Sequence, residues 1–173
     1  PVMLDSPTPE DFASVERWLA DAGIAGRADT HNDVGGGTDT VEKNRLGKLA
    51  ELVFCKHYNL DVQMVVGSDG GSDVTMPSGL RVDVKSTDSA GFADLMIPYD
   101  FDNWGKSDVF VLVYRKPLTD IFAIMGWYDC QALKKAGVRS GARNPVLGQH
   151  INFVTECWLA QTHELNSMET FDE

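Results

Sequence analysis

Hydrophobic positions along the chain recur first at helical spacing and then at strand spacing. Near the N-terminus, Phe12, Val15, Leu19 and Ala22 lie three or four residues apart, which puts them on one face of an α-helix. Thr8-Pro9-Glu10-Asp11 supplies the start: a capping hydroxyl, a proline at the first helical position, and acids beside the positive end of the helix dipole. Gly23 supplies the stop. A second stripe, Leu46, Leu49, Ala50, Val53 and His57, predicts a helix that starts at Asp39, where Asp39 and Glu42 form a capping-box pattern. On this stripe His57 reads as a core histidine with its hydrogen bonds satisfied. The intervening residues 24–38, with three consecutive glycines and no hydrophobic period, read as a mobile loop.

After the second helix the period shortens. Strands are expected at 62–66, 72–76 and 80–86, separated by the turns Gly67–Gly71 and Met76–Gly79. Residues 87–106 read as irregular. Asp108–Tyr114 and Ile121–Trp127 are nearly continuous apolar runs, as central strands covered on both faces should be. Asp129 caps a short helix to Ala136. A basic loop then leads to a last strand at His150–Val154 and an acidic C-terminal segment. The order helix, helix, strands, helix, strand predicts one mixed α/β domain over residues 1–173, with a core at 39–155, a helix and loop at 1–38, and the acidic segment at 156–173.

Composition narrows the class. The chain has 173 residues, 43% hydrophobic and 24% charged, enough for one domain with a real core. Its most apolar region, Val109–Trp127, is cut by Arg115, Lys116, Pro117 and Asp120, so no membrane span is expected. No basic patch followed by an apolar segment opens the sequence, and no secretion signal is expected. Cys55, Cys130 and Cys157 are odd in number and widely spaced, as reduced thiols of a cytoplasmic protein would be, and they do not form a zinc pattern.

The net charge of −11 argues against a nucleic-acid partner, because phosphate contacts need a basic face. Its distribution softens that argument. Residues 1–42 hold nine acids against Arg17 and Arg27, whereas residues 130–155 hold Lys134, Lys135, Arg139 and Arg143 and no acid. That segment is either a solvated surface or a phosphate contact.

The sharpest chemistry lies in "DVTMPSGLRVDVKST", residues 73–87. Side chains alternate along a strand, so Asp83 and Lys85 project together while Val82 and Val84 face the core. A three-residue loop Pro77-Ser78-Gly79, with Gly79 in the left-handed position, would set Asp73 directly opposite Asp83. Two facing carboxylates repel unless a cation lies between them, and hard oxygen ligands favour Mg2+ or Mn2+. Lys85 could hold an attacking water or neutralise charge on a phosphate. A third carboxylate could come from Glu51, at the margin of the second stripe with Gly47 one turn earlier. Glu42 is its rival, though a helix start already employs it.

Glu51 in the helix segment "GKLAE", Asp73 in "SD", and Asp83 with Lys85 in "VDVKST" together resemble the PD-(D/E)XK nuclease superfamily over roughly residues 40 to 130. Ser72 stands where the family name has proline. The resemblance implies a restriction-endonuclease-like core, a central mixed sheet flanked by helices. It also implies Mg2+- or Mn2+-dependent hydrolysis of DNA phosphodiester bonds. Asp73, Asp83 and the backbone carbonyl of Val84 would be metal ligands, Lys85 would support the nucleophile, and Glu51 would be a further ligand or orient the attacking water. Lys48, Ser86, Lys134, Lys135, Arg139 and Arg143 are the candidate DNA contacts. The resemblance places such a compact protein in phage or mobile-element DNA processing, and a homodimer is a candidate assembly. Two other functions fit the same residues: an inactive nuclease fold that binds a protein through its acidic surface, and a resolvase of branched DNA.

Overall fold

A computed structural model describes residues 1–22, 40–64, 72–89, 93–143 and 148–171. Helix α1 spans Pro9–Asp21 and begins as the sequence demands. The Thr8 hydroxyl accepts the Asp11 N–H at 3.2 Å, and the Asp11 carboxylate accepts the Thr8 N–H at 2.7 Å. Asp11 also holds Lys56 at 2.7 Å, tying the start of α1 to the end of α2 (Thr40–His57). Asp39, the loop 24–38 and the turn Gly67–Gly71 lie outside the described residues.

Helix α2 buries more than its expected stripe. Leu46, Leu49, Ala50 and Val53 are in the core, and so are Leu52, Phe54 and Cys55, because the helix packs on the sheet and on α1 at once. His57 is the exception. It is exposed, set edge-on to the Tyr58 ring, and does not belong to the core.

The main sheet has the order β1-β6-β5-β3-β2, with β1 Val2–Met3, β2 Val74–Thr75, β3 Arg81–Thr87, β5 Val109–Arg115 and β6 Phe122–Asp129. β3 and β5 run parallel and the other pairs antiparallel, so the sheet is mixed and the fold α/β. Alternation along β5 explains its unbroken apolar run. Val109, Val111 and Val113 join the core beneath α1 and α2, while Phe110 and Leu112 join a second core on the opposite face. Gly79, at φ +94°, takes the left-handed turn position between β2 and β3.

The second core is roofed by a three-stranded sheet, β4-β8-β7, that the hydrophobic pattern did not reveal. Its strands are β4 Leu95–Pro98, β7 Val138–Arg143 and β8 His150–Ala160. β4 falls in the stretch read as irregular, and its four residues are too few to show a period. β7 replaces the expected basic loop. Gly141, which looks like a loop signal, sits where a Cβ would come within 2.5 Å of the Ile151 carbonyl oxygen, so the glycine permits close strand pairing. β8 runs on to Ala160, well past the expected end at Val154, and part of the acidic segment is therefore strand. α3 (Cys130–Ala136) is capped by Asp129, whose carboxylate accepts the Ala132 N–H at 2.7 Å.

Residues 62–64, expected to open a strand, carry none. Val62 and Met64 pack on the first core, which accounts for the alternation without a hydrogen-bonded ladder. The C-terminal segment returns to the main sheet instead of trailing in solvent. Asn166 bridges to Trp127, and Phe171 is buried against Phe54 and Tyr58. Among the described residues, no helix is long and apolar enough to cross a membrane.

Candidate functional site

The short length of β2 creates the site. Val74 pairs with Val82, and the same register carried back one residue sets Asp73 opposite Asp83. At that point β2 has ended. The Asp73 N–H still donates to the Val82 carbonyl at 3.0 Å, but the next contact is made by a side chain: Asp73 Oδ2 accepts the Val84 N–H at 2.7 Å. The carboxylate thus stands where a strand carbonyl would continue the ladder. The N–H and C=O of one strand residue point to the same edge, so the Val84 carbonyl leaves the sheet on the side of Asp73.

Charged groups reach this edge from both faces of the sheet. Asp83, only 5% exposed, and Lys85 lie on the second-core face, with Lys85 Nζ 2.8 Å from Asp83 Oδ1. That ammonium also sits 5.1 Å from the centre of the Phe101 ring and 5.7 Å from Phe110, so its stem is packed and its head is held. From the α2 face comes Glu51, whose Oε2 is 2.5 Å from Lys48 Nζ.

Asp73 feels the whole group. Its carboxyl is pushed up to about 8, first by burial and then by the charges of Glu51 and Asp83; Lys85 and the Val84 N–H offset only part of this. The two candidate helix carboxylates differ in their surroundings. Glu51 acts on Asp73, whereas Glu42 is paired with Arg45, which also holds Glu16 at 2.5 Å on the α1 side.

Four expected site residues, Glu51, Asp73, Asp83 and Lys85, are therefore brought together, and Lys48 with them. Lys48 is not a surface cation as expected: it is 7% exposed, on Glu51 and 5.0 Å from the centre of the Trp18 ring. Trp18 escaped the sequence reading, although it lies three residues after Val15, next to the α1 stripe. Ser86 is half-buried beneath α2, its Oγ 3.9 Å from where a Cβ on Gly47 would be. Lys134 is exposed on α3 and lies 5.9 Å from the Trp104 ring, which itself packs on Phe101 and Phe110, so one row of aromatics separates Lys134 from Lys85. Lys135 is exposed. Arg139 and Arg143 belong to β7, where Arg139 holds Glu164 at 3.2 Å and Arg143 donates to the Gly148 carbonyl at 3.2 Å.

Among the described residues, no three His, Cys, Asp or Glu side chains form a ready-made metal cage. Among the described residues, Lys48 pairs with Glu51 and Lys85 with Asp83. The donor types present, the carboxylates of Asp73, Asp83 and Glu51 with the Val84 carbonyl on the Asp73 side of β3, are nevertheless the hard oxygen ligands that Mg2+ or Mn2+ takes, and they surround an acid whose ionisation is opposed by burial and by its neighbours. The three cysteines do not compete for this role. All are buried free thiols, with Cys55 and Cys130 pushed up to about 12 and Cys157 to about 11, in each case chiefly by burial. No protein-family model, curated protein or solved structure matches the chain.

Proposed function

We propose that this protein is a metal-dependent nuclease of the PD-(D/E)XK type, with a restriction-endonuclease-like core, that hydrolyses phosphodiester bonds in DNA. The observation that carries the reading is the convergence of Glu51, Asp73 and Asp83 beside Lys85 at the open end of β2, where burial and then the charges of Glu51 and Asp83 oppose ionisation of Asp73.

Asp73, Asp83 and the carbonyl of Val84 would hold Mg2+ or Mn2+, with Glu51 as a further ligand or as the group that orients water. The ion would polarise a phosphoryl oxygen and neutralise charge at the phosphate. Lys85, fixed between Asp83 and the Phe101 ring, is placed to donate to the attacking water or to the phosphate oxygen on which charge builds. Placing these groups on a rigid hairpin limits the motion needed to reach the reacting geometry. An acidic chain meets DNA through local charge, and Lys134, Lys135, Arg139 and Arg143 form the segment free of acids that could contact phosphates.

Incubating the purified chain with supercoiled plasmid tests the proposal. Nicking is expected with Mg2+ or Mn2+ and not with chelator. Asp83→Ala should lower the rate by about 100-fold or more with the fold intact, a loss typical of a group in direct contact with the reacting centre. Plasmid left intact with both ions would overturn the reading.

A further inference from the structure

Lys48 is the buried lysine among the described residues, and its surroundings go beyond what a helix needs. An ammonium removed from water must be paired closely to be tolerated. Lys48 is paired with Glu51 three residues later, an arrangement that on most helices lies on the solvated face. Here it faces the interior shared with Asp73: Lys48, Glu51 and Asp73 all act on the Cys55 thiol one turn further along α2. Its other flank is the face of Trp18, contributed by α1. The indole Nε1 is itself buried and has no hydrogen-bond partner among the described residues, so the ring is placed by packing and by the ammonium, not by a bond at its edge.

We propose that Lys48, seated on the Trp18 ring, is a positioning residue that aims the Glu51 carboxylate at the acid cluster and tempers its pull on a cation there. The inference rests on the nuclease reading and assigns a second lysine to that site. Removing the ammonium has two opposed consequences. The cluster loses a positive charge and holds a divalent ion more tightly, while Glu51 loses its fixed orientation and turnover falls. A lysine that only props α2 against α1 would produce neither change in a folded variant.

The test pairs calorimetric Mn2+ titration of the full chain with plasmid nicking at saturating Mn2+. For Lys48→Met we expect Mn2+ to bind roughly 3- to 10-fold more tightly and kcat to fall about 10- to 100-fold. Lys48→Arg should restore most of the rate. If Lys48→Met does not fold, Trp18→Leu carries the test: the ammonium keeps its charge but loses its seat, so kcat should fall by a smaller factor while Mn2+ affinity stays close to wild type. A folded variant whose Mn2+ affinity and kcat both match wild type, or whose Mn2+ binding weakens, would overturn the role of Lys48 and leave the nuclease reading standing. Wild-type chain that neither binds Mn2+ nor nicks DNA would remove both.

Discussion

Asp73 concentrates the tension in the molecule. An aspartate ionises near 3.9 in an unfolded chain, whereas burial and the charges of Glu51 and Asp83 hold the folded Asp73 carboxyl up to about 8. Between those values the native state binds more protons than the unfolded one, so stability falls as pH rises from about 4 to about 8. Asp73→Asn keeps an acceptor for the Val84 N–H and removes the charge. It should therefore flatten that slope and stabilise the metal-free protein by about 1–3 kcal/mol at pH 8. Denaturant unfolding across that pH range checks this, and a slope unchanged by Asp73→Asn would contradict it. The facing pair was legible in the sequence because a hairpin loop of known length fixes register and Gly79 marks its left-handed residue. The burial of Lys48 was not. Helical spacing brings Lys48 next to Glu51, but only the packing of α1 shows that the pair points inward, under Trp18.

At the scale of elements, close approaches hold the parts together. Gly126 in β6 adopts φ +152°, and a Cβ there would lie 2.6 Å from the Asn166 carbonyl oxygen and 2.8 Å from Leu165. Gly126→Ala should cost about 2–4 kcal/mol by forcing the C-terminal segment off the sheet. Phe171→Ala, which empties the far anchor of the same segment, should cost about 3–5 kcal/mol. Chemical denaturation reads both, and a change near zero in either would mean that the segment is not part of the folded core. Helices and central strands were legible because long amphipathic stripes and long apolar runs repeat often enough to reveal their period. The second sheet was not: β4 is four residues long, β7 is an edge strand with Val138 exposed, and Gly141 imitates a loop while serving strand pairing.

Over the whole molecule, a strongly acidic protein carries its acid-free segment on α3 and β7, on the side of the main sheet that Asp83 and Lys85 also face. If this segment meets DNA, replacing Lys134 and Lys135 together by alanine should weaken binding to all sequences alike. It should also reduce the slope of log affinity against log salt by about 1–2, read by fluorescence anisotropy over a salt series. An unchanged slope would place the phosphates elsewhere. The overall class, mixed α/β, followed from the order of elements; the placement of charge did not, because pairing across elements depends on packing that a linear pattern does not record. Underlying all of this is the claim that the acids at the end of β2 form a seat for a divalent cation. Anomalous diffraction from a crystal soaked in Mn2+ tests it most directly. A strong peak is expected between the Asp73 and Asp83 carboxylates and near the Val84 carbonyl; a peak at other residues, or none at these, would rule that seat out.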